Sequence, residues 1–448
     1  MVTAMKNIDN KFSTYLSLAV VVMLCASLPF TLMRVFTQKY LLEVKNIDNA
    51  FVQTVLFDKK ISPRSGTPQN YGNEGGDDTL DFAPSPVVAV QNGAGNSIHR
   101  FDNRVTGFKD KVIGSLKGSL TWREHIIEKY NYFQSLFGWK ILPQNKFLLE
   151  DGYVTAVDPA VDPTPFVESL TELKHHLDEL GISMLYVQAP TKNDRGSSWP
   201  GEYDYIHENA DNFTAGLDTA GINYLDLRLA IEANGWESAS LFYKTDHHWT
   251  QKTALWAVSE TAVALNLRHG FNIDLGLYDL DKYEEEIFPG IFLGSYGRAV
   301  TRAYCDPEDF SMLHPNFYTQ LSLQIPKKSI DVLGTFDVTY NYDSIDTETD
   351  IYKRPCYSAF AYDDNPLTIF HNKLNTSGER VLVIKDSFAC PFVQFLALGV
   401  EYTDVIDLRQ YTSSLMGYIE DTCPDTVIFV YSALSLASEA TADFFRFK

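Results

Sequence analysis

The sequence lacks the features that would tie it to nucleic acid or to a common zinc module. Lys and Arg number 37 against 58 Asp and Glu, which gives a formal net charge of −21. Nucleic-acid binding requires clustered basic side chains that neutralise phosphates, and the chain has no such cluster. The five cysteines include no CxxC pair, which argues against zinc ribbons and thioredoxin-like motifs. Nucleic acid is therefore excluded as a partner.

The scarce cysteines leave one structural question open. Cys305 and Cys356 flank a strand-rich insertion. They form a disulfide if this part of the chain lies outside the cell, and the alternative is a pair of buried thiols.

What the sequence has in abundance is apolar and aromatic residues. They make up 45% and 13% of the 448 residues, which is the composition of a globular protein with a sizeable core. The 25 Tyr and 29 Phe are more than a minimal core needs. A large core and a carbohydrate-facing surface both account for this surplus.

One uncharged apolar run is present near the N-terminus, at residues 16–33. Its 18 residues are just sufficient to span a bilayer as a helix. A cleaved signal peptide is the competing interpretation, but the bulky residues after the run offer no small-x-small cleavage site, which favours an uncleaved anchor. Basic residues lie on both sides of the run, so the positive-inside rule does not decide its orientation.

The rest of the chain divides by composition into a short tail (1–15), a stalk and a linker rich in Gly, Pro and Asn (34–104), and one large domain (105–448). Helices are predicted at residues 105–137, 166–180, 209–220 and 251–265, and short buried strands at 182–188, 222–227, 381–384, 403–406 and 427–430. Continuous apolar strands separated by helices predict a parallel sheet covered on both faces, which is a three-layer α/β/α domain. Residues 270–375 are predicted to be an irregular insertion or lid.

The most informative string runs from Lys244 to Thr250 and contains Asp246, His247, His248 and Trp249 just before a predicted helix. In an extended loop, residues two apart point to the same side. Asp246 can therefore accept from one nitrogen of His248 while the other nitrogen faces a nucleophile.

Ser387 is the candidate nucleophile, because the chain reads as strand, sharp turn and helix around it. Ligands of open α/β sheets bind beyond the carboxyl ends of the strands. The free N–H groups of the following helix, including that of Ser387, would bind an oxyanion. Two alternatives stay open: Ser387 is only a helix N-cap, or Asp246, His247 and His248 bind a metal.

The Asp-His-His-Trp string and the later Lys385-Asp386-Ser387-Phe388 resemble the DHHW family within the SGNH-hydrolase-like superfamily. They also resemble the alginate O-acetyltransferases. Further similar segments lie at residues 188–192, 294–298, 406–409 and 424–425. This sequence departs from the usual pattern at Lys385, which stands where Gly-Asp-Ser proteins have Gly.

The resemblance implies that Ser387 is the nucleophile, His248 the general base and Asp246 its orienting partner. The candidates for oxyanion or substrate binding are Asn193, Gly294, Arg298, His247, Trp249 and Arg409. No cofactor and no metal are implied.

From this resemblance, we expect the protein to be an O-acetyltransferase at the cell membrane that acts on a cell-surface polysaccharide through an acetyl-serine intermediate. Its domain would be extracytoplasmic, with a multi-span acyl-export protein as partner. A carbohydrate acetylesterase, a non-catalytic polysaccharide-binding or assembly protein on a degenerate hydrolase fold, and a metal-dependent hydrolase are the alternatives.

Overall fold

A computed structural model of the chain describes residues 152–196, 200, 204–438 and 441–447, and before them residues 128, 131–132, 135, 141–142 and 146–149. The predicted tail, membrane anchor, stalk and linker lie outside these residues, as does most of the helix predicted at 105–137. Among the described residues, no helix combines the length and the apolar character needed to cross a bilayer.

The described part of the chain alternates helices and strands. The strands are β1 (Ile141–Leu142), β2 (Lys146–Leu148), β3 (Val154–Thr155), β4 (Ser183–Gln188), β5 (Tyr224–Asp226), β6 (Tyr283–Phe292), β7 (Glu308–Pro315), β8 (Leu321–Ile325), β9 (Ile330–Gly334), β10 (Leu367–Asn372), β11 (Arg380–Lys385), β12 (Tyr402–Ile406) and β13 (Thr426–Tyr431). The helices are α1 (Thr164–Glu179), α2 (Ile206–Thr219), α3 (Leu227–Asn234), α4 (Gln251–Arg268), α5 (Ser295–Val300), α6 (Ala389–Gly399), α7 (Leu415–Thr422), α8 (Leu434–Ala437) and α9 (Thr441–Phe444).

The central sheet has eight strands in the order β5-β4-β13-β11-β12-β10-β8-β9. The first five are the strands predicted from apolar runs, and they are mutually parallel. The last three, β10, β8 and β9, pair antiparallel. The sheet is therefore mixed, with a parallel half that matches the prediction and an antiparallel half that does not.

Side chains of the parallel strands alternate between two cores, one on each face of the sheet. Met184 and Tyr186 of β4 pack with helices α1, α2 and α7, whereas Leu185 and Val187 pack with α4 and α6. Because both faces of these strands are covered by helical layers, most of their central residues are apolar. The predicted three-layer α/β/α arrangement is present in this part of the sheet.

The prediction of an irregular insertion at residues 270–375 is wrong. This region supplies β8, β9 and β10 to the central sheet, and β6 and β7 form a separate antiparallel ribbon. The reason is visible in β10, where buried and half-buried residues alternate instead of forming a continuous apolar run. Cys305 and Cys356, which both lie within this region, are free buried thiols and not a disulfide.

Candidate active site

Three side chains singled out in the sequence form one hydrogen-bonded chain in the structure. The hydroxyl oxygen of Ser387 lies 2.7 Å from Nε2 of His248, and Nδ1 of the same imidazole lies 2.6 Å from Oδ1 of Asp246. Asp246 and His248 are buried, whereas Ser387 is half-buried and accessible. These separations suit a nucleophile, its base and a carboxylate that orients the base.

The loop between Phe242 and Trp249 places the carboxylate and the imidazole together. Phe242 and Trp249 form an antiparallel bridge, and the N–H of Tyr243 donates to the carbonyl of His248 at 3.2 Å. The N–H of His248 donates to Oδ1 of Asp246 at 3.0 Å. The two-residue spacing thus closes into a tight loop in which Asp246 holds both the backbone and the ring of His248.

Two side chains of opposite charge hold the backbone of this loop from two sides. The buried ammonium of Lys192 donates to four carbonyls at 2.7 to 3.1 Å, those of Val154, Tyr243, Lys244 and Asp246. The carboxylate of Glu308 accepts from the N–H of Lys244 at 2.7 Å and from the N–H of Thr245 at 2.6 Å. Lys192 and Glu308 therefore fix the segment that carries Asp246.

The second carboxylate oxygen of Asp246 is bound at the start of α5. The N–H of Ser295 donates to Oδ2 at 2.6 Å, and a Cβ on Gly294 would lie 2.5 Å from the same oxygen. Burial alone would raise the pKa of Asp246. The imidazoles of His247 and His248 and the hydrogen bonds outweigh burial and hold this pKa well below its usual range. Asp246 is therefore an ionised acceptor.

Asp386 fixes the turn that carries Ser387. Its Oδ1 accepts from the N–H of Phe388 at 3.0 Å. Its Oδ2 accepts from the N–H of Ser432 at 2.7 Å and from the hydroxyls of Ser432 and Ser435 at 2.8 Å. The buried carboxylate thereby ties the residues after β11 to those after β13, at the carboxyl ends of two adjacent parallel strands.

Ser387 does not act as the cap of α6. The N-cap position is Phe388, without a capping side chain, and the Ser387 hydroxyl bonds His248 instead. The N-cap alternative is therefore contradicted. The N–H of Ser387 has no hydrogen-bond partner among the described residues, so it is available to a developing oxyanion, as predicted.

Aromatic rings surround the imidazole of His248. Trp249 is fully buried, and its indole N–H donates to the carbonyl of Phe388 at 2.8 Å. It therefore links the loop to the nucleophile turn, and the prediction that it contacts substrate is wrong because no surface of it is exposed. Tyr357 stacks on His248, with ring centroids 3.8 Å apart.

Two predicted oxyanion donors are already engaged elsewhere. The side-chain amide of Asn193 donates to the carbonyl of Ala156 at 3.1 Å and to the carboxylate of Asp204. The N–H of Gly294 donates to the hydroxyl of Thr245 at 2.9 Å. The prediction of an oxyanion role for both residues is wrong, because each hydrogen that would bind the oxyanion already has an acceptor.

Arg409 belongs to a buried ion network next to the nucleophile turn. Its guanidinium donates to Asp364 at 2.6 Å and to Asp407 at 2.7 Å, and Asp364 also pairs with Lys385. Although burial opposes it, the attraction of Asp364 raises the pKa of Lys385 above its usual value. Lys385, which replaces the usual Gly, is thus a buried cation that anchors the end of β11.

Arg298 also lies away from the hydrogen-bonded chain. Its guanidinium donates to the carbonyl of Arg354 at 3.5 Å, and Arg354 in turn binds carbonyls of residues 346–349. Among the described residues, neither Arg298 nor Arg409 contacts Ser387 or His248. The structure does not bring these two arginines to the candidate site.

His247 faces a small cavity. The cavity wall also contains Thr191, Tyr296, Phe388 and Ser432. Nδ1 of His247 lies 2.7 Å from the hydroxyl of Ser295, and Nε2 has no hydrogen-bond partner in the part of the chain that the structure describes. Burial and the neighbouring His248 lower the pKa of His247 to about 3. The ring is therefore neutral at physiological pH, with one nitrogen open to a ligand.

The candidate site also contains three neighbouring side chains of the kinds that bind metal ions. Asp246, His247 and His248 offer ligand atoms that all lie within 4.8 Å of one another. However, Nδ1 of His248 bonds Asp246 and Nε2 bonds Ser387, so a metal ion would have to replace one of these hydrogen bonds. The observed arrangement favours serine chemistry over metal chemistry.

Comparisons with known proteins show which families and folds this chain resembles. Residues 150–334 match the family model described as the SGNH hydrolase-like domain of the acetyltransferase AlgX. The match includes Asp246 and His248 and ends before Ser387. Among proteins of curated function, none matches this chain.

Solved structures show the same fold. PatB1 of Bacillus cereus is 21% identical, over 68% of this chain and 100% of that one, with a TM-score of 0.55. A second PatB1 structure, with a sulfonyl adduct, is 20% identical over 68% and 99% of the two chains, with a TM-score of 0.54. A DHHW family protein of Eubacterium siraeum is 17% identical, over 67% and 93%, with a TM-score of 0.52. The predicted resemblance to DHHW and SGNH-hydrolase-like proteins is confirmed.

Sequence reasoning missed several residues that support the site. Lys192 and Ser295 lay within segments noted only for their resemblance, at 188–192 and 294–298. Glu308 and Tyr357 carried no local signal, because they come from the region predicted to be irregular. Asp386 was part of the Ser387 string, but its role depends on Ser432 and Ser435, which are distant in sequence.

Proposed function

We propose that this chain is a serine-dependent acyl-transfer enzyme, an O-acetyltransferase that modifies a cell-surface polysaccharide. The observation that carries the proposal is the continuous hydrogen-bonded chain from Ser387 through His248 to Asp246. We further propose that residues 16–33 anchor the enzyme in the cell membrane, with the catalytic domain on the extracytoplasmic side and a multi-span acyl-export protein as donor partner.

In the first half-reaction, Oγ of Ser387 attacks the carbonyl carbon of an acetyl donor while its proton passes to Nε2 of His248. Asp246 stabilises the imidazolium, and the N–H of Ser387 donates to the oxyanion. The leaving group then takes the proton from His248, which leaves acetyl-Ser387. In the second half-reaction, His248 removes the proton of a sugar hydroxyl, the alkoxide attacks the acetyl carbon, and Ser387 regains its proton.

Three observations support transfer of an acetyl group. The family model that matches residues 150–334 is described as that of an acetyltransferase. The alginate O-acetyltransferases, which the sequence also resembles, act on a polysaccharide. The described cavity beside the nucleophile turn opens next to His247, whose free nitrogen can accept a hydrogen bond from a hydroxyl group.

The test combines covalent labelling and turnover in the purified chain. A sulfonyl fluoride should label wild type at Ser387, and Ser387→Ala should not be labelled above background. With 4-nitrophenyl acetate as donor and an oligosaccharide as acceptor, wild type should give acetylated sugar, and Ser387→Ala should give none. Ser377→Ala, which changes an exposed serine before the amino end of β11, opposite to the end that carries Ser387, is the matched control and should behave as wild type.

Each alternative function predicts a different result in these assays. Acetate release that oligosaccharide does not change would indicate an acetylesterase. Equal labelling of wild type and Ser387→Ala would falsify the serine mechanism and favour a binding protein. Activity lost on chelation and restored by a metal ion would favour a metal-dependent hydrolase.

A further inference from the structure

A second pocket lies directly beside the cavity that His247 faces. Pro190 and Thr191 line both spaces. Ser238 also lines the second pocket, and the chain continues from Ser238 through the short 3-10 turn Ser238–Leu241 into the loop that carries Asp246 and His248. A ligand in the second pocket is therefore adjacent to the candidate active site.

The wall of this pocket includes an exposed aromatic ring. Trp236 is 41% exposed, which is unusual for the largest apolar side chain. Gly235, at a φ of 65°, ends α3 and turns the chain at this point. Trp256 holds the Trp236 ring edge to face, with centroids 5.3 Å apart. Trp236 thus offers a fixed flat surface of the kind on which the apolar face of a ring-shaped ligand packs.

The charges around the pocket argue against an anionic ligand. Arg195 pairs with Asp211 and with Glu232. Arg228, whose side chain is almost fully buried, pairs with Asp226 and also with Asp211. Each guanidinium is neutralised by carboxylates, so no excess positive charge is left for a carboxylate or phosphate. The same groups are hydrogen-bonding partners for uncharged hydroxyls.

One buried polar atom on this wall has no partner within the described chain. Nε2 of His207 bonds the carbonyl of Asn193 at 2.8 Å and lies 3.1 Å from the hydroxyl of Thr191. Nδ1 of the same ring is buried without a hydrogen bond among the described residues. A buried unpaired nitrogen is costly. This one is closed to solvent, so Trp236 and the balanced charges, and not His207, define the ligand contacts of the pocket.

We propose that this pocket is a subsite for an uncharged sugar ring of the acceptor, stacked on Trp236. The inference rests on the proposed function and deepens it, because it selects neutral glycans over polyuronates as the acceptor class. A glycan that occupies both spaces would pass along Pro190 and Thr191, with the sugar to be acetylated next to His247.

The experiment measures saccharide binding to the Ser387→Ala chain by isothermal titration calorimetry, so that nothing is turned over. The probes are neutral tetrasaccharides of glucose, mannose, xylose and N-acetylglucosamine, and tetragalacturonate as the anionic comparison. At least one neutral probe should bind, and tetragalacturonate should bind at least about tenfold more weakly. Tenfold in affinity corresponds to 1.4 kcal/mol.

The variants identify the binding surface. Trp236→Ala should weaken binding of the neutral probe by at least about tenfold, and Trp236→Phe should recover most of it. Leu229→Ala removes another exposed apolar side chain, on α3 outside the pocket, and should bind as the parent does. Circular dichroism melts of all three verify that they fold.

Two results would overturn the subsite: no neutral probe binds, or binding is the same in Trp236→Ala and in Leu229→Ala. Stronger binding of tetragalacturonate would overturn the selection of neutral glycans. These outcomes differ from failure of the proposed function, because absent labelling of Ser387 in wild type overturns acyl transfer and leaves Trp236-dependent binding intact.

Discussion

The imidazole of His248 lies parallel to the ring of Tyr357, with 9° between the two planes and 3.8 Å between their centroids. Tyr357 comes from the 3-10 turn Cys356–Ala359, more than 100 residues after His248 in the chain. The stacked ring limits rotation of the imidazole about its side-chain bonds. It therefore complements Asp246, which fixes the same imidazole in its own plane through Nδ1.

Replacement of the stacked ring should impair turnover without preventing binding. We expect Tyr357→Leu to lower kcat for acetyl transfer by about 10-fold to 100-fold with little change in KM, since a base displaced by about 1 Å loses much of its effect. Tyr357→Phe keeps the ring and loses only the 3.3 Å hydrogen bond to the carbonyl of Phe388, so its kcat should stay near that of wild type. Steady-state kinetics check this, and equal losses in both variants would contradict the stacking role.

The buried ammonium of Lys192 should be essential for the fold of the catalytic loop. Lys192→Met removes the ammonium donor from the carbonyls of Val154, Tyr243 and Asp246, whereas the carbonyl of Lys244 still accepts from the N–H of Val154. Each unsatisfied buried group costs about 1–3 kcal/mol. We expect the free energy of unfolding to fall by about 3 kcal/mol or more, measured by urea denaturation.

Lys252→Met is the matched control for that variant. Lys252 is exposed and pairs with Glu285 at 2.7 Å, so its loss should change the free energy of unfolding by less than about 1 kcal/mol. An equal loss of unfolding free energy in the two variants would show that the hydrogen bonds of Lys192 to these carbonyls stabilise the fold no more than an exposed ion pair does.

A methyl group at Gly294 should displace Asp246. The added Cβ would lie 2.5 Å from Oδ2 and 2.7 Å from the Cα of Asp246, and backbone there cannot yield without moving the loop. We expect Gly294→Ala to cost about 1–3 kcal/mol of stability and to lower kcat by at least about tenfold. Gly417→Ala meets only Ser414, at 3.5 Å, and should keep full activity. Wild-type kinetics in Gly294→Ala would mean that Asp246 is not positioned by this contact.

The low pKa of His247 has a consequence for stability in acid. The unfolded chain protonates this imidazole as pH falls through 6.5, whereas the folded chain does so only near 3. Because the unfolded state binds the extra proton between these values, stability should fall with falling pH across this window. His247→Gln removes the effect, so its melting temperature should decrease less between pH 7 and pH 4.5. If the melting temperatures of wild type and His247→Gln decrease equally over this pH range, His247 is not the source of the acid sensitivity.

Local patterns were enough to predict the parallel half of the sheet. Each of its strands faces two helical layers, so burial leaves a continuous apolar run such as Val381 to Ile384 in the sequence. The antiparallel half was missed because β8 alternates apolar and polar residues and β10 alternates buried and half-buried ones, so neither forms a continuous apolar run. Their pairing with each other and with β12 joins segments that are about 45 and 35 residues apart, and no local pattern records such partners.

The candidate site, like the sheet, has a part that the local sequence predicted and a part that it did not. Asp246 and His248 are two residues apart, and a strand-turn-helix pattern surrounds Ser387, so the chain by itself, with the family resemblance, determined all three. Which groups hold them was decided by tertiary contacts: Lys192, Glu308 and Tyr357 reach the loop from other elements. The failed oxyanion candidates have the same cause, since a donor such as the amide of Asn193 is free or engaged only according to its neighbours in space.

The sequence alone determined which residue types and short spacings are available for acyl transfer, because backbone geometry relates residues two apart whatever the rest of the fold. Only the tertiary structure decided that Ser387 and His248, 139 residues apart, meet at 2.7 Å. That meeting requires β11, β13 and the loop after residue 241 to pack at one edge of the sheet, and packing depends on the whole set of buried side chains and not on any one segment.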